Sequence, residues 1–137
     1  MTPQAGVHHG ILTAQPGTQL VFGEGDYYFD RLWLEPQVTV QFPTAGTTRI
    51  YVKNEFLNRS AFGSRKRAES VFLAVLSGNA TLQAQYWGTV LVANGKLTVE
   101  TPACNVCSPY IGGFYGRNIE IHQGTYITRR PFTGDWL

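Results

Sequence analysis

Charge is scarce in this chain. Only 15% of its 137 residues are Asp, Glu, Lys or Arg, and 11 basic against 9 acidic groups leave a formal net charge of +2. So small an imbalance excludes the electrostatic footprint that grips DNA or an anionic membrane surface, and nucleic acid is not expected as a partner. Cysteine occurs only as Cys104 and Cys107. The two are too close in the chain to staple distant segments, so no disulfide framework can support the fold. Long apolar runs are missing as well, which excludes a transmembrane helix. The first ten residues lack a basic stretch followed by an apolar run, so no secretory signal is recognisable. The chain is expected in the cytoplasm if Met1 is native, and outside the cell or on its surface if a signal has been removed.

Helix signals are also nearly absent, since no window keeps apolar residues at i, i+3, i+4 and i+7 between a cap and a stop. What the sequence has instead is 43% hydrophobic and 13% aromatic residues, spread evenly, with 15 Gly and 7 Pro. Short alternating runs recur, each opened by turn residues: Val38, Val40 and Phe42 after Pro36; Ile50 and Val52 after Gly46; Leu97 and Val99 after Gly95. Ile119-Glu120-Ile121 and Tyr126-Ile127-Thr128 repeat the pattern. Such runs predict an all-β chain of many short strands in a single domain over residues 1–137.

Periodicity decides between paired hairpins and stacked coils. Tyr28, Ile50, Phe72, Leu97 and Ile119 fall at intervals of 22, 22, 25 and 22 residues. A repeat of this length holding two or three strands predicts a short parallel β-solenoid, right-handed and of about five coils, in which stacking buries inward side chains that one coil alone cannot cover. The same alternation also suits an antiparallel β-sandwich or jelly roll, which remains the alternative. Residues 1–17 are expected to cap the solenoid or to be flexible. Residues 54–70, polar and basic, and residues 101–109, with both cysteines, read as loops.

Two stretches carry a resemblance. Tyr86-Trp87-Gly88-Thr89-Val90 leads through Asn94-Gly95-Lys96 to Leu97-Thr98-Val99, and Tyr110-Ile111-Gly112-Gly113-Phe114-Tyr115 leads through Gly116-Arg117-Asn118 to Ile119-Glu120-Ile121. With Gly25-Asp26-Tyr27-Tyr28-Phe29 at the start, this pattern resembles bacterial cell-surface proteins of unknown function that carry a short parallel β-helix, a group similar to pilus-associated modules and to the bactofilin-like β-solenoids. The resemblance spans approximately residues 25–132. It implies a structural scaffold, and it implies no catalytic residue.

The chemistry-bearing residues point the same way. Cys104-x-x-Cys107 is compatible with a local disulfide, with a metal site completed from His8, His9 or His122, or with a redox pair. A local disulfide or an inert thiol pair is preferred, because zinc wants four ligands and a redox pair wants a strand-to-helix context. Neither metal nor cofactor is expected. Glu100 and Glu120, with Lys96 and Arg117 nearby, read as an exposed charge ladder across coils more readily than as an acid and base flanking a glycosidic bond. No Gly-x-Ser-x-Gly elbow or phosphate loop is present, so no enzyme is expected. Trp33, Tyr51, Tyr86, Trp87 and Tyr115 alternate with aliphatic residues and are expected to face outward, as interface or ligand candidates. The function expected is therefore a non-catalytic structural or adhesive module. It would associate with itself or with another surface protein; polysaccharide binding through the aromatic rows is the alternative.

Overall fold

The structure, a computed structural model, describes residues 1–102 and 109–134. Among the described residues thirteen strands wind around three faces. The first two faces form one sheet bent at a corner. In it β1 (Ile11–Ala14), β3 (Gly25–Leu34), β5 (Thr48–Asn58), the pair β7 (Val71–Val75) and β8 (Asn79–Leu82), β10 (Thr89–Val99) and β12 (Phe114–Ile121) stack in that order. The third face carries β2 (Gln19–Val21) on β4 (Thr39–Gln41), then β6 (Phe62–Gly63), β9 (Tyr86–Trp87), β11 (Tyr110–Gly112) and β13 (Ile127–Arg129).

Every strand pair among the described residues is parallel. The fold is accordingly a β-solenoid of about five turns, and the antiparallel sandwich is set aside. No helix among the described residues is long and apolar enough to cross a membrane.

Each long strand turns the corner where its register slips, between Phe29 and Arg31 in β3 and between Val92 and Lys96 in β10. The corner takes up different numbers of residues on different coils, so a fixed repeat cannot track it. Tyr27, Ile50, Leu73, Val90 and Phe114 form one inward row, while Leu12, Leu32, Phe56, Ala80, Leu97 and Ile119 form another. The row expected from the 22-residue spacing crosses between these. Tyr28 and Phe72 point outward, one residue out of phase with Tyr27 and Leu73, as period-2 strands require when the register is misread by one.

An aromatic column fills the corner beside the third face. Phe22, Phe42, Phe62, Tyr86 and Tyr110 follow one another at 20, 20, 24 and 24 residues. The Phe22 and Phe42 rings stack at 5.4 Å, Phe42 meets Phe62 edge-on at 5.1 Å, and Phe62 stacks on Tyr86 at 5.3 Å. The two phenols are satisfied in place: Tyr86 donates to the Thr89 carbonyl at 2.9 Å and Tyr110 to that of Glu100 at 2.6 Å. Tyr86, expected as an outward ligand candidate, is therefore a core residue. Its ring continues a column of phenylalanines and its hydroxyl finds a backbone acceptor, which is how a buried Tyr is tolerated.

Burial pushes both phenols well above the ordinary tyrosine value of 10.0, and Glu100 adds to the effect at Tyr110. An acid whose folded pKa is raised contributes stability that is present below its unfolded pKa and lost as pH climbs beyond it. Unfolding is thus expected to set in above about pH 10, with tyrosinate absorbance from these two residues rising in step with loss of the β-sheet circular dichroism. A smooth titration of all seven tyrosines with the sheet intact would contradict this.

The segment 54–70, expected as a loop, is in part built into the solenoid. Residues 55–58 belong to β5, with Phe56 and Asn58 inward, and Phe62 in β6 is wholly buried. Asn58 and Ser60 are buried, while Arg59 faces outward. Arg59 donates to Glu35 at 3.1 Å and to Gln83 at 3.0 Å, and Gln83 donates to Glu100 at 3.1 Å, making a polar ladder across four coils. Residues 59–61 and the stretch around the 3-10 turn Ala68–Ser70 lie outside the strands, and Arg67 ties the latter down by donating to the carbonyls of Pro43 and Gly46.

Candidate functional site

Both ends of a solenoid carry inward-facing side chains with no coil beyond them, and here the ends differ. At the N-terminal end the chain supplies its own partial layer. Val21 donates to the Met1 carbonyl, Gly6 to that of Asp26 and His9 to that of Tyr28, and the His9 ring stacks on Phe29 at 5.2 Å. Residues 1–10 therefore lie on the first complete coil as a cover. It leaves a hollow of about 390 Å³ lined by Met1, Pro3, His9, Leu12 and Phe29.

At the C-terminal end β12 and β13 close the last coil. Ile119, Ile121 and Ile127 occupy inward positions, paired with Leu97, Val99 and Tyr110 of the coil beneath. Those three partners are wholly buried, yet Ile119 is 46% exposed, Ile121 51% and Ile127 37%. With Gly112, Phe114, Tyr115 and Arg129 they line a hollow of about 230 Å³. Isolated surface aliphatics are ordinary; three isoleucines converging on one hollow make a contiguous apolar patch, the feature that marks contact surfaces. The rim is polar. Lys96 reaches Glu120 at 3.1 Å and His122 reaches the same carboxylate at 3.2 Å. The hydrogen bond from Lys96, and then that from His122, holds the Glu120 carboxyl below its usual range. The Lys96–Glu120 contact is one rung of the cross-coil charge ladder expected, whereas Glu100 is the end of the separate ladder through Gln83 and Arg59.

The remaining expected site residues are spread over the three faces. Trp33 is half-buried on the outer side of β3. Its indole N–H donates to Glu55 at 2.8 Å and the Arg31 guanidinium lies 4.2 Å over its ring. Trp87 is half-buried on β9, across from Gly63 and Ile111. Tyr51 and Tyr115 share an outward row with Tyr28, Ala74 and Leu91. Tyr51 stacks face to face on Tyr28 at 5.4 Å, and its phenol is raised by burial and then by Asp26.

Between Tyr51 and Tyr115 the chain after β13 crosses the face as a strap. Arg130 donates to the carbonyls of Arg65 at 3.0 Å and Lys66 at 2.7 Å, and the Phe132 N–H donates to the Thr89 hydroxyl at 2.7 Å. The Phe132 ring packs on Phe72 at 5.3 Å. The aromatics thus form no continuous platform. Cys104 and Cys107, and the residues 135–137 that follow the strap, lie outside the described residues. Among the described residues no group of three or more His, Cys, Asp or Glu side chains is placed to hold a metal ion.

The exposed isoleucines are absent from the expected site. Ile119-Glu120-Ile121 reads in the sequence as one more apolar triplet of its face, and among the described residues no further strand covers it. Compared with family models, curated proteins and solved structures, the chain matches none. The site is therefore read from its own geometry.

Proposed function

We propose that this chain is a non-catalytic structural module, a rigid β-solenoid that associates with copies of itself through its C-terminal end, at the bacterial cell surface. The observation that carries the association is the exposure of Ile119, Ile121 and Ile127 around one hollow on the terminal coil. The edge of β12, unpaired among the described residues, supports it, because a bare strand edge is a template for another chain. The surface placement is supported by the resemblance of residues 86–99 and 110–122 to the surface β-helices. Polysaccharide binding has less support, since the Tyr28 and Tyr51 ring faces lie against each other, the Phe132 strap parts them from Tyr115, and Trp33 and Trp87 sit on other faces.

Multi-angle light scattering over a hundredfold range of concentration tests the reading. The wild-type mass is expected to grow with concentration, and Ile121→Asp, which places a charge on the apolar end, is expected to hold the chain at its monomer mass of 15.2 kDa. A wild-type chain that stays monomeric throughout, or an Ile121→Asp variant that associates as the wild type does, overturns it.

A further inference from the structure

The two ends of the solenoid are the two ends of the same rows of side chains. One inward row runs Leu12, Leu32, Phe56, Ala80, Leu97, Ile119, and its neighbour runs Ala14, Leu34, Asn58, Leu82, Val99, Ile121. On the other side of the corner Phe29, Val52, Val75, Val92 and Gly116 are in register, and the His9 ring lies on Phe29. A second copy set beyond β12, translated along the solenoid axis, would continue each row. Leu12 would follow Ile119, Ala14 would follow Ile121, and the large His9 ring would follow Gly116, which has no side chain. Large thus meets small where it must, and β1, whose outer edge is unpaired among the described residues, would add to the bare edge of β12 as one more parallel strand.

Charge favours the same arrangement. The last coil presents Arg117 and Arg129, both exposed, while Glu120 is already engaged by Lys96 and His122. The first 35 residues carry Glu24, Asp26, Asp30 and Glu35 against Arg31 alone among Lys and Arg; Asp26 is paired with Arg49 and Glu35 with Arg59, whereas among the described residues the Asp30 carboxylate meets only the His8 ring, at 2.9 Å. Arg117 and Asp30 are each the single residue at the corner of their coil, between Gly116 and Asn118 and between Phe29 and Arg31. Between them in a stack would lie Gly10, whose carbonyl accepts from the Asp30 N–H at 2.7 Å and which has no side chain to intervene. Two strand spacings, about 10 Å, then separate the two backbones, a gap that an Arg and an Asp side chain can span. Joining two C-terminal ends instead would bring the end that carries Arg117 and Arg129 against an identical basic end and oppose β12 to a copy of itself in the antiparallel sense.

Building on the end association proposed above, we infer that the partner of the C-terminal end is the N-terminal end of a second copy, stacked coaxially and head to tail. Such a heterologous contact does not close on itself when the copies are related by translation along one axis, so it propagates as an open, polar filament.

The test is a charge swap in the full chain, read by light scattering with circular dichroism to confirm the fold. Arg117→Glu and Asp30→Arg are each expected to weaken association about tenfold or more, and the two together in one chain are expected to restore it. Association that is lost in Ile121→Asp but indifferent to Asp30→Arg overturns the head-to-tail arrangement and leaves the end association standing. Single variants that both weaken association without rescue in the double variant also overturn the head-to-tail contact. Absence of association in the wild type overturns both. Should either substitution disturb the fold, the salt dependence of the wild type serves instead: raising salt well past about 0.15 M is expected to shorten assemblies, and salt-indifferent assemblies contradict the Arg117–Asp30 contact.

Discussion

Replacing Phe62 with alanine is expected to lower the stability of the fold by about 3–5 kcal/mol, the range for truncating a fully buried aromatic side chain. Phe62 is wholly buried and lies at the centre of the aromatic column. Its ring stacks on Tyr86 and meets Phe42 and Phe56 edge-on, at centroid distances of 5.3, 5.1 and 5.3 Å. Truncation opens a cavity that the flanking coils cannot close, because their spacing is fixed by the parallel ladders on all three faces. Denaturant unfolding of the variant beside the wild type checks the value. A loss under about 1 kcal/mol would mean that the column packs loosely and does not hold the coils. Phe62→Leu keeps most of the volume and is expected to lose clearly less.

The next residue is as demanding for a different reason. Gly63 has φ of 105°, in the region that favours glycine, and a Cβ there would run into the backbone carbonyl of Trp87 on the coil above. Gly63→Ala is therefore expected to cost about 3 kcal/mol or more, from backbone strain plus forced separation of β6 and β9. Neither term can be relieved by rotating a side chain, since the obstacle is main chain. Thermal unfolding of Gly63→Ala measures it, and a melting temperature equal to that of the wild type would show that β6 and β9 can part without cost.

These two neighbours also show how far the sequence is readable. Strand content and parallel stacking are legible because each coil repeats an apolar-x-apolar triplet after a turn. The exact rows are not, because Asp30 alone fills the first corner while Ala93, Asn94 and Gly95 fill that of β10; a constant spacing drifts from one face to another. Phe62 sits amid Asn58, Arg59, Ser60 and Arg65, so composition there reads as a loop. Only its spacing from Phe42 and Tyr86 reveals a core residue. Tyr86 misleads in the opposite way: alternation with Trp87 fixes that one of the two points inward, but not which, and its carbonyl acceptor at Thr89 is a tertiary fact. The exposed end is different again. No local pattern marks Ile119, Ile121 and Ile127 as exposed, since their strands carry the same apolar alternation as the buried ones and the exposure is a fact of stacking among the described residues.

Cryo-electron microscopy of the wild-type chain at high concentration tests the central claim most directly. Six strand layers, from β1 to β12, stacked at the usual 4.7–4.9 Å give an axial repeat of about 29 Å for each copy in a head-to-tail stack. Polar filaments one solenoid wide, with that repeat and continuous parallel strands across every junction, are the predicted result. A closed two-fold dimer, or single particles at every concentration, would contradict it.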